Sequence, residues 1–170
     1  ELMTEAEKVT AVWENRTTRK GFQTHGNLFE QGDVFAILEK LIRSNLDGYR
    51  EGLRDKDAGI IQQFPKDYDL NGWHVKLVKA GYQKPHIHTR GWVSGVLYLK
   101  IPRKIKGNEG SIAFSLHGYD YRKEHDDIPV KEHMPQEGEL VLFPSSLFHH
   151  TIPFESDEDR QCIAFDVLPK

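Results

Sequence analysis

"GYQKPHIHTRGWVSGVLYLKIP", from Gly81 to Pro102, sets two histidines two residues apart ahead of a run that alternates apolar and small residues. The run from Trp92 to Ile101 has the two-residue period of a β-strand. On an extended chain residues i and i+2 face the same way, so His86 and His88 project together. Two imidazoles that converge suit a divalent first-row metal such as iron, zinc or copper, whose charge offsets their burial. A pair at a strand end in solvent would need no metal, and an isolated H-x-H leaves both readings open.

The pattern continues outward from this stretch. "GWHVKLVKA" (Gly72–Ala80), "GSIAFSL" (Gly110–Leu116), "ELVLFP" (Glu139–Pro144), "FHHTIPF" (Phe148–Phe154) and "RQCIAFDVL" (Arg160–Leu168) also read as short strands, separated by Gly-, Pro- and Asp-containing turns. One helix precedes them, with Phe35, Leu38, Leu41, Ile42, Asn45, Leu46 and Tyr49 at spacings of three and four and Asp33 as its expected N-cap. Residues 1–31 are polar and turn-rich, and an irregular N-terminal segment is expected over 1–20, followed by a single domain over 21–170. Helix first and six or more short strands after it point to a mainly β protein, an antiparallel sandwich or jelly roll with helical buttressing. The stretch from Leu116 to Glu137 is long for a hairpin connection. With His117, Tyr119, Tyr121, His125 and His133 it reads as a flap facing a substrate, or as plain polar surface.

Composition narrows the function. The chain has 170 residues, a net charge of −3 and no basic stripe, so no nucleic-acid partner is expected. Its one cysteine, Cys162, excludes an internal disulfide and a cysteine-based zinc cage, and fits a reducing compartment. No apolar run reaches the roughly 18–20 residues of a membrane span. A cytoplasmic protein is expected. The chain begins at Glu1 and is read as a processed or excised piece.

A second cluster lies far down the chain, in "ELVLFPSSLFHHTIPFESDEDRQCIAFDV". Adjacent residues of a strand face opposite ways, so one of His149 and His150 can join His86 and His88 and complete a facial site with open positions. Arg160, Cys162 and Ala164 share one face of the last strand. An arginine there needs an anion, either a carboxylate ligand gripped by its planar fork or an acid at the rim such as Glu158 or Asp159.

In this order the motifs resemble the 2-oxoglutarate/Fe(II)-dependent oxygenase domain related to prolyl hydroxylases. "GFQTHGNLFE" and "NGWHVKLVKAGYQ" resemble its lead-in, so the likeness runs from about Gly21 onward. The resemblance implies a double-stranded β-helix that holds Fe(II) through His86, His88 and His149. His149 is chosen over His150 because the family's proline falls four residues later, at Pro153. His88 stands where the wider superfamily has Asp or Glu. Arg160, eleven residues after His149, matches the arginine that anchors the far carboxylate of 2-oxoglutarate. Cys162 takes the place of a helping serine, and Tyr98 that of a cosubstrate-contacting tyrosine. The implied reaction consumes O2 and 2-oxoglutarate, yields succinate and CO2, and hydroxylates a substrate, with a protein or peptide side chain slightly preferred. Three alternatives stand beside it: a cupin-like dioxygenase that uses no 2-oxoglutarate, a catalytically silent binding or sensor module, and a structural interaction domain. A homodimer is compatible with the exposed edges of a jelly roll.

Overall fold

A computed structural model describes residues 1–103, 105–119, 121–122 and 127–170. The expected helix is α2 (Asp33–Gly52). Phe35, Leu38, Ile42 and Leu46 form its buried stripe, while Leu41 lies on the solvent face. Asp33 is not its N-cap: Gly32, with φ 132°, takes that position, and Asp33 sits inside the first turn. There its charge favours the positive end of the helix dipole without a side-chain cap bond.

All six expected strands are present, and three more join them. The large sheet has the order β1 (Ala11–Trp13), β2 (Thr18–Thr24), β3 (Tyr68–Gln83), β9 (Arg160–Pro169), β4 (Val93–Lys100), β7 (Leu140–Pro144). The small sheet runs β6 (Val130–His133), β5 (Ile112–Ser115), β8 (Phe148–Thr151). Every pairing is antiparallel, as a jelly roll requires. A short helix, α1 (Leu2–Ala6), precedes β1, and a single-turn α3 (Gly59–Gln62) follows α2.

The two faces of the large sheet have different partners. Ile163, Phe165 and Val167 of β9 pack with Leu70, Val93 and the buried stripe of α2. Cys162 and Ala164 point the other way, toward Val75, Leu77, Val96 and Tyr98 and toward Ile112 of the small sheet. Both faces are covered, so these strands read as nearly continuous apolar runs.

The polar N-terminal stretch differs from the irregular segment expected of it. Trp13 and Phe22 meet edge to face at 4.9 Å, but β1 is exposed throughout. Its order comes from backbone pairing with β2, which hydrophobic periodicity does not report. Asn27 ties this region to β3: its side chain accepts from Phe29 N and Gly72 N and donates to Leu70 O. Further along, β2 shifts from pairing Tyr82 to pairing Leu77 across only two of its own residues. The extra residues of β3 bulge, and Ala80 takes a φ of 58°. The bend swings the chain after Gln83 off the large sheet and toward β8.

Gly95, in the middle of β4, has no room for a side chain: a Cβ there would meet Phe165 Cζ at 2.2 Å and Leu142 Cδ2 at 2.9 Å. Gly95→Ala is expected to cost about 1–3 kcal/mol through overpacking, read as a lower urea midpoint. Adding Phe165→Leu should recover part of that loss.

Candidate active site

After the bend, His86 forms a one-residue antiparallel bridge with His149 of β8. His86 N donates to His149 O at 3.1 Å, and His149 N donates to His86 O at 3.0 Å. Two residues on, His88 N donates to Ser145 O at 3.0 Å. Backbone bonds alone therefore bring together two segments more than sixty residues apart in sequence.

The side chains converge accordingly. Ring centroids lie 5.1 Å apart for His86 and His88, 4.3 Å for His86 and His149, and 5.0 Å for His88 and His149. One ring nitrogen from each lies within 4.8 Å of the others, a spacing that could hold a metal ion. His150 stands outside this group and is half-buried.

Each Nδ1 is engaged. That of His86 donates to Lys84 O at 2.6 Å, that of His149 to Leu147 O at 3.0 Å, and that of His88 to Asp166 Oδ1 at 2.5 Å. These bonds leave Nε2 as the free nitrogen in all three rings, the arrangement that outer partners impose on metal-binding histidines. Burial, with repulsion from His88, lowers the His86 pKa to about 4. Burial and both neighbouring imidazoles press His149 well below its ordinary range. Both are neutral at pH 7, the form a metal requires.

Asp166 is the residue that motif reasoning missed. It accepts from Ser94 Oγ at 2.6 Å as well as from His88, and Ser94 in turn takes a bond from Ser145 Oγ at 2.8 Å. Strand parity carried the signal: 160, 162, 164 and 166 alternate onto one face of β9. The site thus has its carboxylate on the far side of the His88 ring.

Toward the barrel interior the histidines border a narrow pocket whose lining includes Tyr98, Thr151, Arg160, Cys162 and Ala164. Arg160 is 2% exposed, yet it has no acidic partner among the described residues; its Nε donates to Gly110 O at 3.1 Å. Its guanidinium lies 4.9 Å from the Tyr98 ring centre. The Tyr98 hydroxyl is buried with no hydrogen-bond partner among the described residues, and burial pushes its pKa up. A buried cation without an anion beside a buried hydroxyl without a partner is costly unless a ligand satisfies both. The rim acids do not fill that role: Asp159 is turned to Lys76, Lys100 and Gln161. Cys162 is fully buried, and burial raises its thiol pKa. Its sulfur lies 3.9 Å from Arg160 Nη1, so it serves as a neutral wall beside the guanidinium.

Of the expected flap, Tyr119 reaches the site: its hydroxyl accepts from Ile87 N at 3.4 Å, and its ring packs on Phe148. His117 instead bonds Tyr121 O, and His133 bonds Glu139. His125 lies outside the described residues.

The family model for "Putative 2OG-Fe(II) oxygenase" matches residues 71–166, more than half of the chain and the whole of the site just described. The chain belongs to this family. It is a 2-oxoglutarate-dependent dioxygenase, and members of the family use Fe(II) and 2-oxoglutarate. Solved structures share its fold. HygX from Streptomyces hygroscopicus, determined with nickel and 2-oxoglutarate bound, aligns with a TM-score of 0.64 over 99% of this chain and 77% of its own, at 14% identity. A prolyl-4-hydroxylase from Pseudomonas putida gives 0.63 over 99% and 84%, at 16% identity. A 2OG-Fe(II) oxygenase family oxidoreductase from Burkholderia pseudomallei gives 0.60 over 98% and 76%, at 10% identity. No curated protein sequence matches significantly. No helix is long and apolar enough to cross a membrane among the described residues.

Two outcomes follow for this oxygenase. Asp166→Asn should weaken metal binding by about 10–100-fold, measured by Fe(II) titration under anaerobic conditions, with Asp166→Glu closer to wild type. Unaltered affinity in the Asn variant would count against a role for Asp166. The second concerns pH. Folded His86 and His149 titrate below the unfolded value of about 6.5, so between that pH and about 4 the unfolded chain binds more protons than the native one. The metal-free protein should keep its full histidine contribution above pH 6.5 and lose it as the pH falls toward 4. Urea midpoints in chelator report this; His86→Asn should flatten the profile, and a profile identical to wild type would disprove the assignment.

Proposed function

We propose that His86, His88 and His149 hold Fe(II) through their Nε2 atoms, and that Arg160 and Tyr98 receive the far carboxylate of 2-oxoglutarate beside Cys162. The supporting observation is the unmet pair in the inner pocket, a buried guanidinium without an anion next to a buried phenol without a partner. A dicarboxylate entering past the histidines satisfies both with one group. Iron, 2-oxoglutarate and O2, when bound, supply the oxidising chemistry and release succinate and CO2; the residues of the chain bind, orient and exclude water.

Each residue then has a defined task. The backbone bridge fixes the angle between His86 and His149. Asp166 holds the His88 ring with Nε2 facing inward and places a negative charge behind it, one ring further out than the carboxylate ligand that the superfamily has at the place of His88. Arg160, closed off between Tyr98 and Cys162, offers a fork of charge-assisted donors in a site that excludes water, where such bonds are strongest.

The reaction we propose is hydroxylation of a C–H bond, with a protein or peptide side chain as the preferred substrate. The mouth of the site favours this: Thr89 and Arg90 are exposed at its rim, so one side chain of a larger molecule can enter while the rest stays outside. The likeness in fold to the Pseudomonas putida prolyl-4-hydroxylase is compatible with it.

Anaerobic titration of Fe(II) and 2-oxoglutarate, read through the absorption of the metal–keto-acid chelate, tests the assignment. Arg160→Ala should raise the 2-oxoglutarate concentration needed by about 30-fold or more, the cost of breaking a buried charged pair. His149→Ala should abolish iron binding, while His150→Ala should leave it intact. Wild-type cosubstrate affinity in Arg160→Ala, or equal metal loss from both histidine variants, would overturn the assignment. Absence of succinate formation with any substrate, in a protein that binds both cofactors, would favour the silent binding module.

A further inference from the structure

We infer that the substrate of this site carries an oxyanion, a carboxylate or a phosphate, gripped by Arg16 and Arg90. The inference rests on the oxygenase reading above and names the substrate chemistry that reading leaves open.

His86, His88, Trp73 and Gln83 line the inner pocket and also a larger outer cleft. The cleft is therefore the approach to the three histidines. Its walls come from the β1–β2 connection (Asn15, Arg16, Thr17), the turn after His88 (Thr89, Arg90) and Tyr119. Three side chains of acidic or basic residue types other than histidine line it: Arg16, Arg90 and Asp166. Asp166 is already committed to His88 and Ser94. The uncommitted charge of the cleft is thus two arginines, in a chain whose net charge is −3. The arginines that form ion pairs among the described residues are Arg43, Arg50 and Arg54, all far along α2 or just past it. Arg16 and Arg90 take part in none.

Both arginines stand on anchored backbone. Arg16 has a φ of 52°, a left-handed conformation that is unfavourable for a long side chain and signals a constrained position. Its carbonyl accepts from Arg19 Nη1 at 2.8 Å. The next carbonyl, of Thr17, accepts from Lys84 N at 2.9 Å, which ties this loop to the segment that carries His86. Arg90 lies in the turn closed by Gly91 N donating to His88 O at 3.1 Å. A Cβ at Gly91 would meet Ser145 Oγ at 2.5 Å, so this turn is held against its neighbour.

Arginine, with its planar fork of donors, matches carboxylate and phosphate geometry and keeps its charge at any working pH. Two of them, at the charged positions left open among the described residues of the cleft, favour an anion and repel a cation. Trp73, Ile87, Tyr119 and Leu168 supply the apolar part of the surface. On this arrangement the anionic group stays at the rim with the arginines, and the C–H bond to be oxidised points inward to the histidines.

The test uses the whole chain with 2-oxoglutarate, Mn(II) in place of iron, and three probes: inorganic phosphate, N-acetyl-aspartate and N-acetyl-lysinamide. The paramagnetic ion speeds nuclear relaxation of whatever binds near it. Saturable enhancement is expected for phosphate, for N-acetyl-aspartate or for both, and not for the cationic probe. Phosphate alone would mean a phosphate-bearing substrate, and N-acetyl-aspartate alone a carboxylate-bearing one. Each of Arg16→Ala and Arg90→Ala should weaken anion affinity by about tenfold, the worth of one charge-assisted hydrogen bond. Arg16→Lys and Arg90→Lys should lose less. In parallel, the Fe(II)–2-oxoglutarate absorption must stay unchanged when the anion is added, and unchanged in the variants, which also reports that they fold. The inference is overturned if neither anion shows saturable enhancement, if enhancement survives both alanine changes, if the cationic probe does as well, or if the anion bleaches the chelate by taking the metal's own positions. Failure of the wild-type protein to form the chelate at all would fell the oxygenase reading itself, and this inference with it.

Discussion

Two hydrogen bonds between the backbones of His86 and His149 hold the site together. Among the described residues they are the only ladder contact between the segment after β3 and the small sheet, and they are made by two residues whose side chains converge. Because the bond is between main chains, the relative position of the two imidazoles is set before any metal arrives. The bulge at Ala80 serves this contact, since a β3 that continued straight would stay in the large sheet and carry His86 away from β8. The left-handed conformation of Ala80 is a local cost that the pairing on either side offsets.

Charge is the second constraint. A cation held by three neutral imidazoles keeps its full charge, whereas an aspartate among the ligands would cancel part of it. Here the carboxylate lies one ring further out, as Asp166, hydrogen-bonded to Nδ1 of the His88 imidazole. Ser94, itself bonded to Ser145, holds that carboxylate in turn, so its orientation is as well determined as the ring's. On the proposed assignment, exchanging a ligand for a buried neighbour keeps the charge of the site while altering which atoms touch the metal.

The inner pocket shows the opposite economy. Arg160 and Tyr98 are buried with polar capacity unmet among the described residues, a cost to the empty protein that, on the proposed assignment, a bound dicarboxylate recovers. The large, doubly covered sheet tolerates this cost because α2 and the outer face of β9 contribute apolar burial elsewhere. Binding energy and folding energy are therefore divided between the two faces of the same strand.

Much of this was written in local pattern. The six strands, the buttressing helix, the shared face of His86 and His88 and the inward parity of Arg160 follow from periods of two and 3.6, which depend only on backbone geometry. The strands β1, β2 and β6 left no such trace: β1 and β6 are largely exposed and owe their existence to pairing with a neighbour. The choice of Gly32 over Asp33 as the cap of α2 turns on a left-handed backbone at Gly32, which residue preference does not reveal. Asp166 shares the inward face of β9 with Arg160, but its partner His88 is 78 residues away, so parity marks its face and not its role. Arg16 and Arg90 come from unrelated loops, and nothing in their spacing marks them. By itself the sequence determined which side chains share a face and which residue types were available to hold a metal and an acid. Only the tertiary structure decided which faces meet, because the backbone bridge and the β-bulge act between distant segments and bring into one site residues that no local period connects.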